Sequence, residues 1–137
     1  WSTPKFDHAL LEPICMASIL RLSTTAHSDK NRILFANPDS IAKAKGKKLP
    51  GDRRERQNLS LKLSYDEGTT WAVNRVLEPG LSSYSDLAVL RDETILCLYE
   101  RVSTKKPSGA EGGFISMARF NLEWLTEGKD SLSATGR

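Results

Sequence analysis

Apolar and polar residues alternate with a period of two along much of the chain. Leu59, Leu61 and Leu63 alternate with Ser60, Lys62 and Ser64, the pattern of a strand with one buried face. Residues 14–22 and 32–36 read as a strand and its return, separated by a polar loop over 23–31. Residues 72–77 follow a tight polar turn, and 87–90 and 94–99 flank Arg91-Asp92-Glu93, a hairpin signal. A further strand over 113–120 follows a flexible loop at 105–113. Asn121 is placed to cap a short helix over 122–125, which Gly128 would stop, and 130–137 reads as a frayed polar tail. About seven short strands joined by hairpins predict an all-β sandwich, barrel or propeller, and periodicity alone does not choose among them. Residues 38–50 read as a long loop of a kind that is often functional. No complete internal repeat is visible.

Composition narrows the function classes. The 137 residues suffice for one modest core. The chain opens at Trp1 without an initiator Met or a signal-like segment, which reads as a piece of a longer protein. No apolar run approaches the roughly 18–20 residues of a membrane span. The formal charge of +3 comes mostly from Lys43, Lys45, Lys47, Lys48, Arg53, Arg54 and Arg56. That run suits a solvated loop better than an anionic partner, and the lack of interleaved aromatics argues against nucleic acid. Cys15 and Cys97 sit in apolar runs and read as buried thiols. Two cysteines make no disulfide framework, and His8 and His27, read as exposed loop residues, have no ligand-like spacing, so no metal site is expected.

The sharpest motif is Ser64-Tyr65-Asp66-Glu67-Gly68-Thr69-Thr70-Trp71, of the form S-x-D-x-G-x-x-W at a strand–turn–strand junction. Asp66 can accept backbone N–H groups across the turn, Gly68 can take a positive φ, and Trp71 can cover the turn with its ring. The motif resembles the Asp-box (BNR repeat) of sialidases and some other propellers, where its role is structural. Trp1 resembles the residue that closes an earlier copy. Three further stretches extend the resemblance to sialidases across roughly residues 10–120. Arg56-Gln57-Asn58-Leu59 is similar to the R-x-(N/D)-L context of an arginine that clamps the substrate carboxylate, a task suited to a planar guanidinium fork. Tyr84-Ser85-Asp86-Leu87 resembles the segment whose tyrosine is the nucleophile, and Leu98-Tyr99-Glu100 the one whose glutamate orients another clamp arginine. Without the resemblance, Tyr84 and Glu100 would be ordinary strand residues. Met16 stands where relatives often place a sugar-contacting glutamine; it is either a weakened substrate contact or core packing.

The resemblance implies part of a six-bladed β-propeller, about its last two blades, with residues 1–137 as the C-terminal portion of one propeller domain. Alone, such a piece would expose two apolar flanks. It implies an exo-α-sialidase that hydrolyses terminal sialic acid from a sialylated glycan with retention, without metal or organic cofactor. A neutral tyrosine avoids the repulsion a carboxylate nucleophile would meet at a carbon bearing a carboxylate, and sialidases are exceptions to the usual carboxylate pair. Free tyrosine titrates near 10, so the nucleophile needs a base; that base, the acid and the other clamp arginines would lie upstream. A trans-sialidase shares these residues, and a non-catalytic Asp-box propeller binding glycans or proteins is the reading from another class. Localisation is left open, secreted or periplasmic being the expectation for a bacterial sialidase-like protein.

Overall fold

The structure, a computed structural model, describes residues 2–11, 13–40, 56–103 and 112–132. Trp1, most of the basic run and of the 38–50 loop, and residues 133–137 lie outside the described residues. The strands are β1 (Ser18–Ser23), β2 (Arg32–Pro38), β3 (Gln57–Ser64), β4 (Val73–Val89), β5 (Ile95–Ser103) and β6 (Gly112–Phe120), followed by one helix, α1 (Leu122–Thr126). Each strand pairs antiparallel with its neighbour in chain order. The first ladder runs from β1 to the first half of β4, and the second joins the rest of β4 to β5 and β6.

β4 is one 17-residue strand where the sequence suggested two short ones. Pro79 and Gly80 lie between the two, residues that ordinarily interrupt a strand. The ladder absorbs them, because Leu59 pairs with Glu78 and Gln57 with Leu81, with a register shift at Asn58 between. Pro79 therefore sits at a bulge, where no ladder N–H is needed. Opposite it, Asn58 takes a left-handed φ of 57°, which Asn tolerates better than most residues.

The core lies between the two ladders. Leu34, Ala36, Leu59, Leu61 and Leu63 from the first meet Leu87, Ile95, Cys97 and Phe120 from the second, closed by Leu122 and Leu125 of α1. Burying each such leucine contributes about 2 kcal/mol. Burial pushes the Cys97 thiol up to about 12, so it packs as an inert small hydrophobe. Cys15, expected to be buried, is only half-buried, because β1 starts at Ser18 and leaves residues 14–17 outside the ladder.

β3 departs from its half-buried pattern: Ser60, Lys62 and Ser64 are buried along with the leucines. The segment before β1 lies over that second face. Lys62 Nζ donates to the Ala9 carbonyl and pairs with Asp39 at 3.2 Å. Asn37 Nδ2 donates to the Leu11 carbonyl at 2.8 Å, and Trp71 Nε1 to Asp7 at 2.8 Å. A buried ammonium is tolerable only with such partners.

At the chain's other end, Asn121 accepts from Trp124 N at 2.8 Å and caps α1, while Glu127 and Gly128 end the helix in left-handed conformation. Asp130 then returns to β2. Its carboxylate accepts from Arg32 Nε at 2.8 Å, Arg32 Nη2 at 2.7 Å and the Tyr65 hydroxyl at 2.8 Å. Arg32 is fully buried, and Asp29 takes its Nη1 at 2.9 Å. Burial and the bond to Asp130 push the Tyr65 phenol up to about 12, so it remains a neutral donor.

Candidate active site

Arg56 immediately precedes β3, on the far side of the strand from the Ser64–Trp71 turn. At about 3.3 Å per residue, the length of β3 separates the two features. The turn is held internally. Ser64 Oγ donates to Asp66 Oδ1 at 2.8 Å and accepts from Gly68 N at 2.9 Å. Asp66 Oδ1 accepts from Thr70 N at 2.8 Å, and Oδ2 from the Thr70 hydroxyl at 2.6 Å. The Thr70 bonds, side chain first, hold the Asp66 carboxyl below its usual range. Gly68 has a φ of 83°, and the Trp71 ring packs 5.7 Å from that of Phe35. Each of these residues thus makes turn or packing contacts remote from Arg56.

Two bulges set the opposite end. The first, at Asn58, leaves Arg56 just outside the ladder, with its carbonyl accepting from Ser82 N at 2.9 Å. Ser82 Oγ also accepts from Leu59 N at 3.1 Å, filling the gap in the pairing. The second bulge falls in β4 between Ser82 and Ser85, opposite β5. Bulges re-aim side chains and recur beside active sites. Here they turn Ser83 and Tyr84 toward Arg56. The Arg56 guanidinium lies 5.3 Å from the centroid of the Tyr84 ring, within cation–π range. Its Nη1 donates to Ser83 Oγ at 3.0 Å, and its Nη2 to the Ile14 carbonyl.

A cavity of about 370 Å³ opens beside these groups, lined by Arg56, Ser82, Ser83, Glu100 and Arg101 among others. Glu100 is exposed on β5, opposite Ile115 of β6. The Tyr84 side chain is 43% exposed and does not point into the core. Met16 is 56% exposed within this chain. It follows Cys15, whose Sγ lies 3.8 Å from Ser83 Oγ, so the segment 14–16 borders the same site. Arg56 therefore meets Tyr84 on one side and shares a cavity with Glu100 on the other, and Ser64, Asp66, Gly68 and Trp71 form a separate turn. The sequence reading missed Ser83 and Ile14. A serine in a polar strand stretch carries no signal, and a β-branched residue at a φ of 50° is unexpected.

The arrangement offers a fixed cation for a carboxylate, a phenol beside it, and a carboxylate across a shared cavity. No helix among the described residues is long and apolar enough to cross a membrane.

No family model matches the chain. It is 34% identical over 122 residues to the sialidase of Micromonospora viridifaciens, a match covering 87% of this chain and 16% of that enzyme. It is 33% identical over 96 residues to the sialidase of Bacteroides fragilis, covering 67% of this chain and 15% of the relative. A sialidase of Vibrio cholerae is 36% identical over 84 residues, covering 61% and 10% respectively. Among solved structures, a Hadza microbial sialidase superposes with a TM-score of 0.57 at 28% identity, over 83% of this chain and 19% of that one. The chain thus spans less than a fifth of the length of these relatives. Its six antiparallel strands, its sequence matches and this superposition agree: the chain is a sialidase-like, all-β fragment with the fold of part of a β-propeller.

Proposed function

We propose that the chain supplies the nucleophile and one carboxylate-binding arginine of an exo-α-sialidase that cleaves terminal sialic acid with retention. The supporting observation is the Arg56 guanidinium held over the Tyr84 ring, with Glu100 on the same cavity. In this reading the Arg56 fork binds the sialic acid carboxylate. The Tyr84 oxygen attacks the anomeric carbon and gives its proton to a base outside this chain. The glycosidic C–O bond breaks, and the departing oxygen takes a proton from an acid that also lies outside the chain. Water then attacks the anomeric carbon with a second inversion and gives up a proton to the group that served as the acid; the aryl glycoside bond to Tyr84 breaks and the tyrosine oxygen recovers its proton from the base, giving net retention. Glu100 orients another arginine of the carboxylate clamp, and Met16 borders the sugar. The acceptor in the second step, water or another glycan, separates hydrolase from trans-sialidase. The sialylated glycan is the only partner this reading requires, and no cofactor enters it. The four Asp-box residues, Ser64, Asp66, Gly68 and Trp71, act as scaffold.

Treating the enzyme that carries this chain with a fluorinated sialic acid analogue tests the reading. The slowed second step should leave an adduct on the peptide containing Tyr84, located by mass spectrometry. An adduct on any other residue overturns the assignment of Tyr84.

Arg56→Lys gives a further expected outcome. The ammonium keeps the charge but loses the bidentate fork. Loss of one charged hydrogen bond, about 1.5–3 kcal/mol, lowers kcat/KM for a sialoside by about ten- to a hundredfold. An unchanged kcat/KM would place Arg56 outside the clamp.

A further inference from the structure

Resting on the proposed function, we infer that Ser83 is a positioning residue for Arg56 and sets the angle at which the guanidinium meets the substrate carboxylate. Three observations converge on that guanidinium. Ser83 Oγ accepts from Nη1 at 3.0 Å. The Ile14 carbonyl accepts from Nη2. The Tyr84 ring lies 5.3 Å beneath the guanidinium carbon. Two hydrogen bonds on different terminal nitrogens and a cation–π contact restrain a fork that would otherwise rotate on a long flexible stem. Ser83 and the Ile14 carbonyl are neutral acceptors, so they orient the cation without neutralising it. A carboxylate in either place would compete with the substrate for the same charge.

The backbone at Ile14 supports this reading independently. Its φ of 50° is costly for a β-branched side chain, and such conformations persist where the surroundings over-determine them. The strained residue is the one whose carbonyl meets Arg56. Ser83 is held just as firmly, since the bulge between Ser82 and Ser85 turns it out of the regular ladder toward Arg56. Residues from three places in the chain, at 14, 56 and 83, therefore define a single orientation.

The test compares Ser83→Val with Ser83→Thr in the enzyme that carries this chain. Val and Thr have nearly the same shape, and only Thr keeps the hydroxyl. The probes are an unsaturated sialic acid analogue that is not hydrolysed and its methyl ester, which lacks the negative charge. Ser83→Val should weaken binding of the acid about five- to tenfold and raise KM for a sialoside similarly with little change in kcat. Ester binding should stay level, and Ser83→Thr should restore acid binding to within about twofold of wild type. Wild-type acid binding by Ser83→Val overturns the proposal, as does equal weakening of acid and ester, which marks a merely structural role. Arg56→Ala is measured alongside. If it binds the acid normally, the clamp reading of Arg56 fails and takes the proposal with it. If it binds the acid poorly while Ser83→Val does not, only the role of Ser83 is lost.

Discussion

Tyr84→Phe in the enzyme that carries this chain is expected to cut retaining hydrolysis by orders of magnitude while leaving the fold nearly unchanged. The fold survives because Tyr84 is 43% exposed and lies outside the buried core. Phe keeps the ring face beneath Arg56, so the clamp keeps its support. Chemistry suffers because the covalent route needs the phenolic oxygen. Some turnover can persist by direct capture of the oxocarbenium-like transition state by water, and that route need not retain configuration. Two measurements decide the matter. Steady-state kinetics should show a large fall in kcat, and NMR of the first-formed product should show lost or mixed stereochemistry. Wild-type kcat with full retention in the Phe variant would remove Tyr84 from the mechanism.

The second large effect concerns stability. Asp130→Asn should destabilise the protein by about 3 kcal/mol, the lower end of the range for breaking a buried ion pair. The lower end applies because Arg32 keeps its bonds to Asp29, an exposed partner on the same loop. What it loses is the buried anion that takes both its Nε and its Nη2. Denaturant titration should show the midpoint falling without a change in slope. The same network predicts an acid-sensitive stability. Burial works to raise the Asp130 carboxyl, but the bonds from Arg32 and Tyr65 win and bring it down to about 2. Its contribution is complete above about 4, the ordinary aspartate value, and is lost as pH falls toward about 2. The wild type should lose stability through that window, and Asp130→Asn should lose less. A variant as stable as wild type, with the same acid profile, would show that the ion pair contributes nothing net.

Strand positions were legible because alternation is a local property, and β2, β3, β5 and β6 lie close to where it placed them. The continuity of β4 was not, since Pro79 and Gly80 mark a break unless the opposing bulge at Asn58 is known. The burial of Lys62 was equally hidden. It depends on the segment around Ala9, which has no periodic pattern, lying across β3. At the candidate site, Arg56, Tyr84 and Glu100 stand out through their resemblance to sialidase motifs and not through any property of their own. The approach of Tyr84 to Arg56 depends on two bulges, which no period-two pattern announces. Ser83 and Ile14 contribute a hydroxyl and a carbonyl whose value comes only from where Arg56 happens to lie.

The passage of β4 from one ladder to the other has a consequence for how such a sequence can change over generations. Substitution and change of length are unequal events on this strand. A residue exchanged at 79–83 alters only the contacts of that residue. A residue gained or lost there advances everything downstream by one step, and a strand reverses its faces at each step. Tyr84 would then turn toward the interior and Ser85 outward, while Arg56, anchored on the other ladder, stayed where it was. A point change in this stretch leaves the register intact, but an insertion would separate the cation from the phenol in a single event. Drift in the length of this protein is therefore channelled away from β4 and into the connections between strands.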